Sequence, residues 1–376
     1  MRRILCALAL ALALGLPAAG AGAKEGTFRS SAGPLRVERV AGPFAHPWAV
    51  AFLPGGAKLV TERGGRLWHL GADGARREVS GVPEVHAVGQ GGLLDVAAAR
   101  DFARTREIFL TYAVTEPDDP YHTRTVLARA RLSADGGALE ALEPLFRQEP
   151  AVVSADHYGS RVVEAPDGTL FVTVGDRNHP DLAQTRDTTI GKVVRVARDG
   201  SVPPDNPFAD DPGTASEIWS IGHRNPQGAA LDAEGRLWTV EHGAHGGDEI
   251  NRPEAGANYG WPRISYGTDY SGAEYPGTHA EGLEQPLHYW DPSIAPSGMT
   301  IYSGRLWPDW EGDVFVGALR GGLSRLPRAG TRLGREERLM QWDAGRVRDV
   351  REGPEGALWF LTDAGDGALY RISPAR

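Results

Sequence analysis

Several short stretches of this chain hold residues whose types and spacing could do chemistry together. Asp156-His157 places an imidazole directly after a carboxyl group in the segment SADHYGSR. An imidazole is a general base near neutral pH, and an adjacent carboxylate can orient it or raise its pKa. The alternative is a structural histidine at a strand end. Arg224-Asn225 puts a guanidinium and an amide on the Pro/Gly-bounded turn GHRNPQG, and a planar guanidinium suits carboxylates. Further on, Glu241, Asp248 and Glu249 lie among Gly243, Gly246 and Gly247. Carboxylates and loop carbonyls of that kind can converge on a hard cation such as calcium. A solvated acidic loop is the alternative, and composition does not separate the two. Arg346 and Arg348 are two apart, so a strand would turn both to one face. Arg320 adds another cation, and Gln90 sits among glycines in VGQGGLLD. Singly, each arginine reads as a surface charge and Gln90 as part of a turn. Gathered at one place, the arginines would suit a small polyanion.

Such residues need a scaffold that brings distant loops together. An apolar strand, a Pro/Gly/Asp/Glu turn and a second strand rich in Leu, Phe, Trp and Val recur along the chain. The recurrences are Trp48–Trp68, Leu93–Tyr112 with a third strand at Thr125–Leu132, Arg161–Val174, Gly228–Val240, Met299–Arg325 and Val347–Tyr370. They are spaced irregularly at roughly 45–75 residues. A lone hairpin cannot bury both faces, so radial stacking is expected. The expected fold is all-β, a six-bladed β-propeller of four-stranded antiparallel sheets, with long loops on the binding face. A β-sandwich pair is the competing architecture. No amphipathic pattern of period 3.6 is long enough to build a helical core.

Composition agrees. The 376 residues carry a formal net charge of −9 and no basic tract, which argues against nucleic acid as a partner. Forty-nine glycines and 27 prolines make the chain turn-dense, while 41% hydrophobic content keeps it globular. Residues 1–23 read as an export signal: Met1-Arg2-Arg3 is a basic head, Ile4–Leu16 is apolar, and Ala21-Gly22-Ala23 is a small-residue cleavage site. The apolar run is too short to span a bilayer. The propeller is expected over 24–376, in a periplasmic or secreted protein. Cys6, the one cysteine, falls inside the leader, so the mature chain has no thiol chemistry.

Taken in order, the motifs HPWAVAFLP (His46–Pro54), GQGGLLD (Gly89–Asp95), DHYGSR (Asp156–Arg161), GKVVRV (Gly191–Val196), GHRNPQG (Gly222–Gly228), EHG with GGDEIN (Glu241–Asn251), NYGWP (Asn258–Pro262) and RVRDV (Arg346–Val350) span nearly the whole mature chain. Together they resemble the soluble aldose (glucose/sorbosone) dehydrogenases dependent on pyrroloquinoline quinone (PQQ), six-bladed propellers holding PQQ and calcium on the axial face. The resemblance implies that His157 is the base that takes the anomeric proton and that Asp156 supports it. It also implies that Arg224 and Asn225 contact the quinone oxygens, and that Gln90, Tyr270, Arg320, Arg346 and Arg348 bind the tricarboxylate cofactor. The main-chain carbonyls of Gly243 and Ala244 would hold the cofactor's calcium, and Glu249 and Tyr259 a second calcium. An aldose substrate, an external quinone or cytochrome acceptor and a monomer or weak dimer follow from the same likeness. Position 244 is Ala where the related loop usually has Pro, and position 320 is Arg where Lys is common. The rival readings are a calcium-dependent propeller lactonase and a non-catalytic carbohydrate- or protein-binding propeller. Neither would use the Arg224, Arg346 and Arg348 set.

Overall fold

The computed structural model describes residues 22–375. The leader expected over 1–23, with Cys6, lies outside the described residues but for its last two positions. Short apolar strands punctuated by tight turns fold into six antiparallel blades, each with a four-stranded core. The innermost strands are Pro47–Phe52, Leu93–Ala98, Val162–Glu164, Pro226–Leu231, Pro296–Ile301 and Val347–Glu352, and each contacts the next around a closed ring. Every hairpin unit expected from the sequence is the inner part of one blade, so the six-bladed propeller stands. Among the described residues the only α-helix is the four-residue turn Phe102–Thr105, and no helix is long and apolar enough to cross a membrane.

Local chemistry explains the repeat. The turn between the first two strands of a blade needs a positive φ, which glycine supplies: Gly168 (φ 85°), Gly235 (φ 79°) and Gly356 (φ 87°). The second strands, such as Leu170–Val174 and Leu358–Thr362, are buried on both faces and accordingly read as continuous apolar runs. Among the described residues, the six largest hydrophobic cores lie between successive blades rather than within one. The last joins Leu361 and Leu369 of the sixth blade to Val50 and Val60 of the first.

One strand was not foreseen. Leu35–Phe44 pairs antiparallel with the C-terminal strand Gly367–Pro374 as the fourth strand of the sixth blade, and Gly26–Phe28 pairs on its far side as the edge. A strand near the N-terminus and the C-terminal strand thus share one blade, which closes the ring and covers the blade faces an open stack would leave exposed.

Around the axis the inner strands are joined by polar contacts. The hydroxyl of Thr61 on a second strand accepts from Ala49 N in its own blade and donates to Leu94 O in the next, at 3.0 and 2.7 Å. Thr111 does the same between Asp95 N and Ser160 O, and Thr173 between Arg161 N and Pro226 O. At the centre, Arg161 reaches Asp95 at 2.9 Å and Asp349 at 3.2 Å, and Arg351 reaches the same two carboxylates at 2.8 and 3.1 Å. Asp95, Arg161 and Asp349 are fully buried. Removing one partner of a buried ion pair leaves an uncompensated charge. Arg161→Met is therefore expected to cost about 3–5 kcal/mol in denaturant unfolding. A loss under about 1 kcal/mol would show that Arg351 alone neutralises both carboxylates.

Candidate functional site

Antiparallel strands put the start of each inner strand and the end of each second strand at the same face of the ring. Gln90, His157, Arg224, Asn225 and Arg346 precede inner strands, while Asp176, Gly243, Arg320 and Asp363 follow second strands. Two adjoining cavities open there. One, of about 240 Å³, is lined by residues that include Trp48, Arg63, Gln90, Arg346, Arg348 and Asp363. The other, of about 350 Å³, is lined by Gly243, Ala244, Tyr270 and Arg320, and His242 lines both.

His157 is 9% exposed and held in a left-handed turn, φ 52°. Its main-chain N–H donates to Gln90 Oε1 at 3.0 Å, which fixes the turn against the second blade. Its ring Nδ1 lies 2.6 Å from Asp176 Oδ1. Asp156 does not give His157 the support expected of it. Asp156 Oδ2 accepts from Asn178 instead, at 3.1 Å; the partner of His157 comes from just past the second strand of the same blade, Leu170–Val174. A carboxylate can only accept, so Nδ1 carries the proton and Nε2 is left as the basic lone pair. Burial pushes the Asp176 carboxyl up, but the hydrogen bond and charge of His157, with Arg224 nearby, more than offset it and hold it below its usual value.

Arg224 donates its main-chain N–H to Glu241 Oε2 at 2.7 Å and Nη1 to His242 O at 3.3 Å. Its guanidinium lies 5.2 Å from the Trp261 ring and 5.8 Å from the Tyr270 ring. Its Nε is buried without a partner, and so is Asn225 Nδ2. Buried donors left open are costly, so these two mark a place for an acceptor. Arg346 and Arg348 do meet on one face, but they share a counter-ion: Asp363 Oδ2 lies 2.7 Å from Arg348 and 3.3 Å from Arg346, and Oδ1 lies 3.0 Å from His46 Nδ1. Burial raises the Asp363 carboxyl, but Arg348, then His46 and Arg346, hold it well below the usual carboxylate range.

The acidic loop is only partly what the sequence suggested. Asp248 does not face a cation site: it accepts from Gly243 N, Ser293 Oγ, Ile294 N and Ala295 N. Glu241 is spent on His223, Arg224 N and Asn251. Among the described residues no three His, Cys, Asp or Glu side chains gather as a metal cluster. Gly243 and Ala244, whose carbonyls were expected to hold calcium, line the second cavity. Glu249 and Tyr259 line neither cavity. Tyr259 stacks on His223 at 4.9 Å and donates its hydroxyl to Arg252 O at 2.5 Å, leaving only its main-chain carbonyl for a cation. Glu249 is half-buried beside Glu241, and desolvation, then that charge, pushes its carboxyl up to about 8.

Asp176, Asp363, His242 and Trp261 belong to the site and were not picked out from sequence. A signal existed for the first two: each is an acidic residue just past a buried second strand, and Glu241 is the last residue of one.

The profile of the family described as Glucose / Sorbosone dehydrogenase matches residues 44–371. The chain belongs to that family. It is 42% identical over 347 residues to the aldose sugar dehydrogenase YliI of Escherichia coli, covering 90% of this chain and 93% of that protein. The crystal structure of the soluble aldose sugar dehydrogenase from Escherichia coli in its apo-form superposes with a TM-score of 0.87, over 91% of this chain and all of that one. The PQQ-bound aldose sugar dehydrogenase of Streptomyces coelicolor is 29% identical, with a TM-score of 0.74 over 90% of this chain and 98% of that one.

The Glu249 carboxyl generates a pH dependence of stability. The folded state keeps its proton to about 8, whereas the unfolded chain releases it near 4.3. Folded protein therefore binds the extra proton across that window, and stability falls as pH rises through it, the loss being complete above 8. Glu249→Gln is expected to flatten this slope, gaining on the parent protein at pH 8.5 relative to pH 5 in thermal unfolding. Parallel curves for the two proteins would sink this assignment.

Proposed function

We propose that this protein oxidises aldose sugars at the anomeric carbon to the lactone in a PQQ- and calcium-dependent reaction, passing electrons to an external acceptor. The observation that carries the reading is the His157–Asp176 pair, on the same face of the ring as the arginine-lined cavity, with two buried donors beside it, Arg224 Nε and Asn225 Nδ2, left open. The family membership and the PQQ-bound structural relative support it.

The donor set fits such a cofactor. PQQ carries three carboxylates, and Arg320, Arg346 and Arg348, with Gln90 and Tyr270, are the residues to bind them. Arg224 and Asn225 are suited to its quinone oxygens. The carbonyls of Gly243 and Ala244 are hard ligands for calcium there, and Glu249, whose proton the ion would displace, joins the Tyr259 carbonyl for a second calcium. When bound, the cofactor supplies the hydride acceptor and calcium polarises its carbonyl. The chain's own work is acid–base: His157 Nε2 takes the proton of the anomeric hydroxyl, and Asp176, not Asp156, fixes the tautomer and steadies the imidazolium that forms. Gln90 keeps His157 in place through its main chain. The basic head, apolar run and small-residue site at the N-terminus support export, with the mature chain starting near residue 24.

Dye-linked oxidation of an aldose panel by purified apo-protein, with and without PQQ and calcium, tests the reading. Turnover is expected only with both added. No turnover, together with no absorbance change or thermal shift on adding PQQ, would overturn it. His157→Ala is expected to lower turnover about 10²–10⁴-fold while PQQ titration stays unchanged. Arg348→Ala is expected to weaken PQQ about ten- to a hundredfold and to leave calcium affinity near that of the parent protein.

A further inference from the structure

We propose that Trp261 is a positioning residue for the base, acting through Asp176. The proposal rests on the oxidoreductase reading for its kinetic consequence and on geometry for its structural one. Asp176 Oδ1 is engaged by His157 Nδ1 and by Asn178 N at 2.9 Å. Its other oxygen, Oδ2, accepts from the Trp261 indole Nε1 at 2.7 Å, the one donor on that oxygen among the described residues. A buried carboxylate held only through Oδ1 could turn about its Cβ–Cγ bond, and the imidazole would turn with it. The indole N–H closes that freedom.

The indole is itself held from several sides. Trp261 N donates to Gly222 O at 3.0 Å, and Trp261 O accepts from Gln184 Nε2 at 2.7 Å. Its ring meets Tyr275 edge-on at 5.1 Å and packs on Ala183. Ala183 belongs to a loop pinned by a buried ammonium: Lys192 Nζ donates to the carbonyls of Leu182, Ala183 and Ile190 at 2.7, 3.2 and 2.6 Å. The lysine of GKVVRV and the tryptophan of NYGWP thus belong to one support behind the base.

Trp261→Phe keeps an aromatic ring and deletes the N–H. It is expected to lower kcat on the order of tenfold, with sugar KM and PQQ affinity within about twofold of the parent protein. In an Asp176→Asn background the same change should cost less than about twofold more, because the two act in series. Losses that multiply, or a matching fall in PQQ affinity, would overturn the proposal; the latter would mean that the ring acts through Arg224. The His157 Hδ1 proton, shifted downfield in the NMR spectrum by its short bond to Asp176, reads the geometry without turnover. It is expected to broaden and exchange faster in Trp261→Phe, and an unchanged line would count against the proposal. Were the parent protein to oxidise no aldose, the functional reading would fall while this resonance still decides the positioning claim.

Discussion

The structure depends on a small set of opposite charges buried on the propeller axis. Asp95 comes from the second blade, Arg161 from the turn opening the third, and Asp349 and Arg351 from the sixth. Asp349 also accepts from Val50 N of the first blade, and Arg161 Nε donates to Gln227 O of the fourth. Contacts among these charges therefore fix five of the six inner strands. Such a cluster adds little net stability, since desolvating four charges offsets most of their attraction. Its effect is on register: a blade displaced by one residue would strand a charge in an apolar ring. Glycine makes the close approach possible, for a Cβ on Gly298 would lie 2.2 Å from Asp349 Oδ1.

The same cluster sets the cavity above it. The Arg161 guanidinium lies 4.4 Å from the ring of Trp48, which lines the same cavity as Arg346 and Arg348. Gln227 gives its main-chain oxygen to Arg161 and its side-chain oxygen to Arg348, at 3.2 and 3.1 Å. The position of Arg348 is thus tied to the axis through one residue. Around the ring the blades then reuse a single device, an acidic side chain at or just past the end of the second strand. Glu62 caps Ala45 N, Glu241 caps Arg224 N, Asp363 holds His46 and Arg348, and Asp176 holds His157. A structural clasp in the first blade has become the partner of a candidate base in the third.

That reuse explains what could be read from sequence and what could not. Hairpin periodicity is local, so Trp48–Trp68 and its five counterparts announced the blades. Loop motifs rich in Arg, His and Gly announced the face they build. Partnerships across blades are not local. Asp156 is adjacent to His157 in the chain, yet Asp176, nineteen residues on, is the one in contact. The counter-ion of Arg348 lies fifteen residues further at Asp363, and the strand that closes the ring begins more than three hundred residues before its partner. In the acidic loop the carboxylates suggested a cation, but main-chain N–H groups claimed Asp248 first, because a Gly-rich turn exposes donors as readily as acceptors.

The electrostatics of the face follow from how its cations are already paired. Arg348 is buried and bound to Asp363, whose depressed pKa keeps that pair ionised at any ordinary pH. Arg346 shares the same carboxylate at a longer distance and its side chain is 57% exposed. Arg320 bonds only weakly, to Ser293 O at 3.4 Å. The polyanion proposed for this face would therefore meet Arg320 and Arg346 first, where charge is least committed. It reaches Arg348 only by sharing that guanidinium with Asp363, which Arg's fork of donors permits. The outer arginines are suited to attraction, and the inner one, fixed by Gln227 and Asp363, to orientation. A ligand held this way is aligned by its most buried contact, whose place is set by the axial charges beneath.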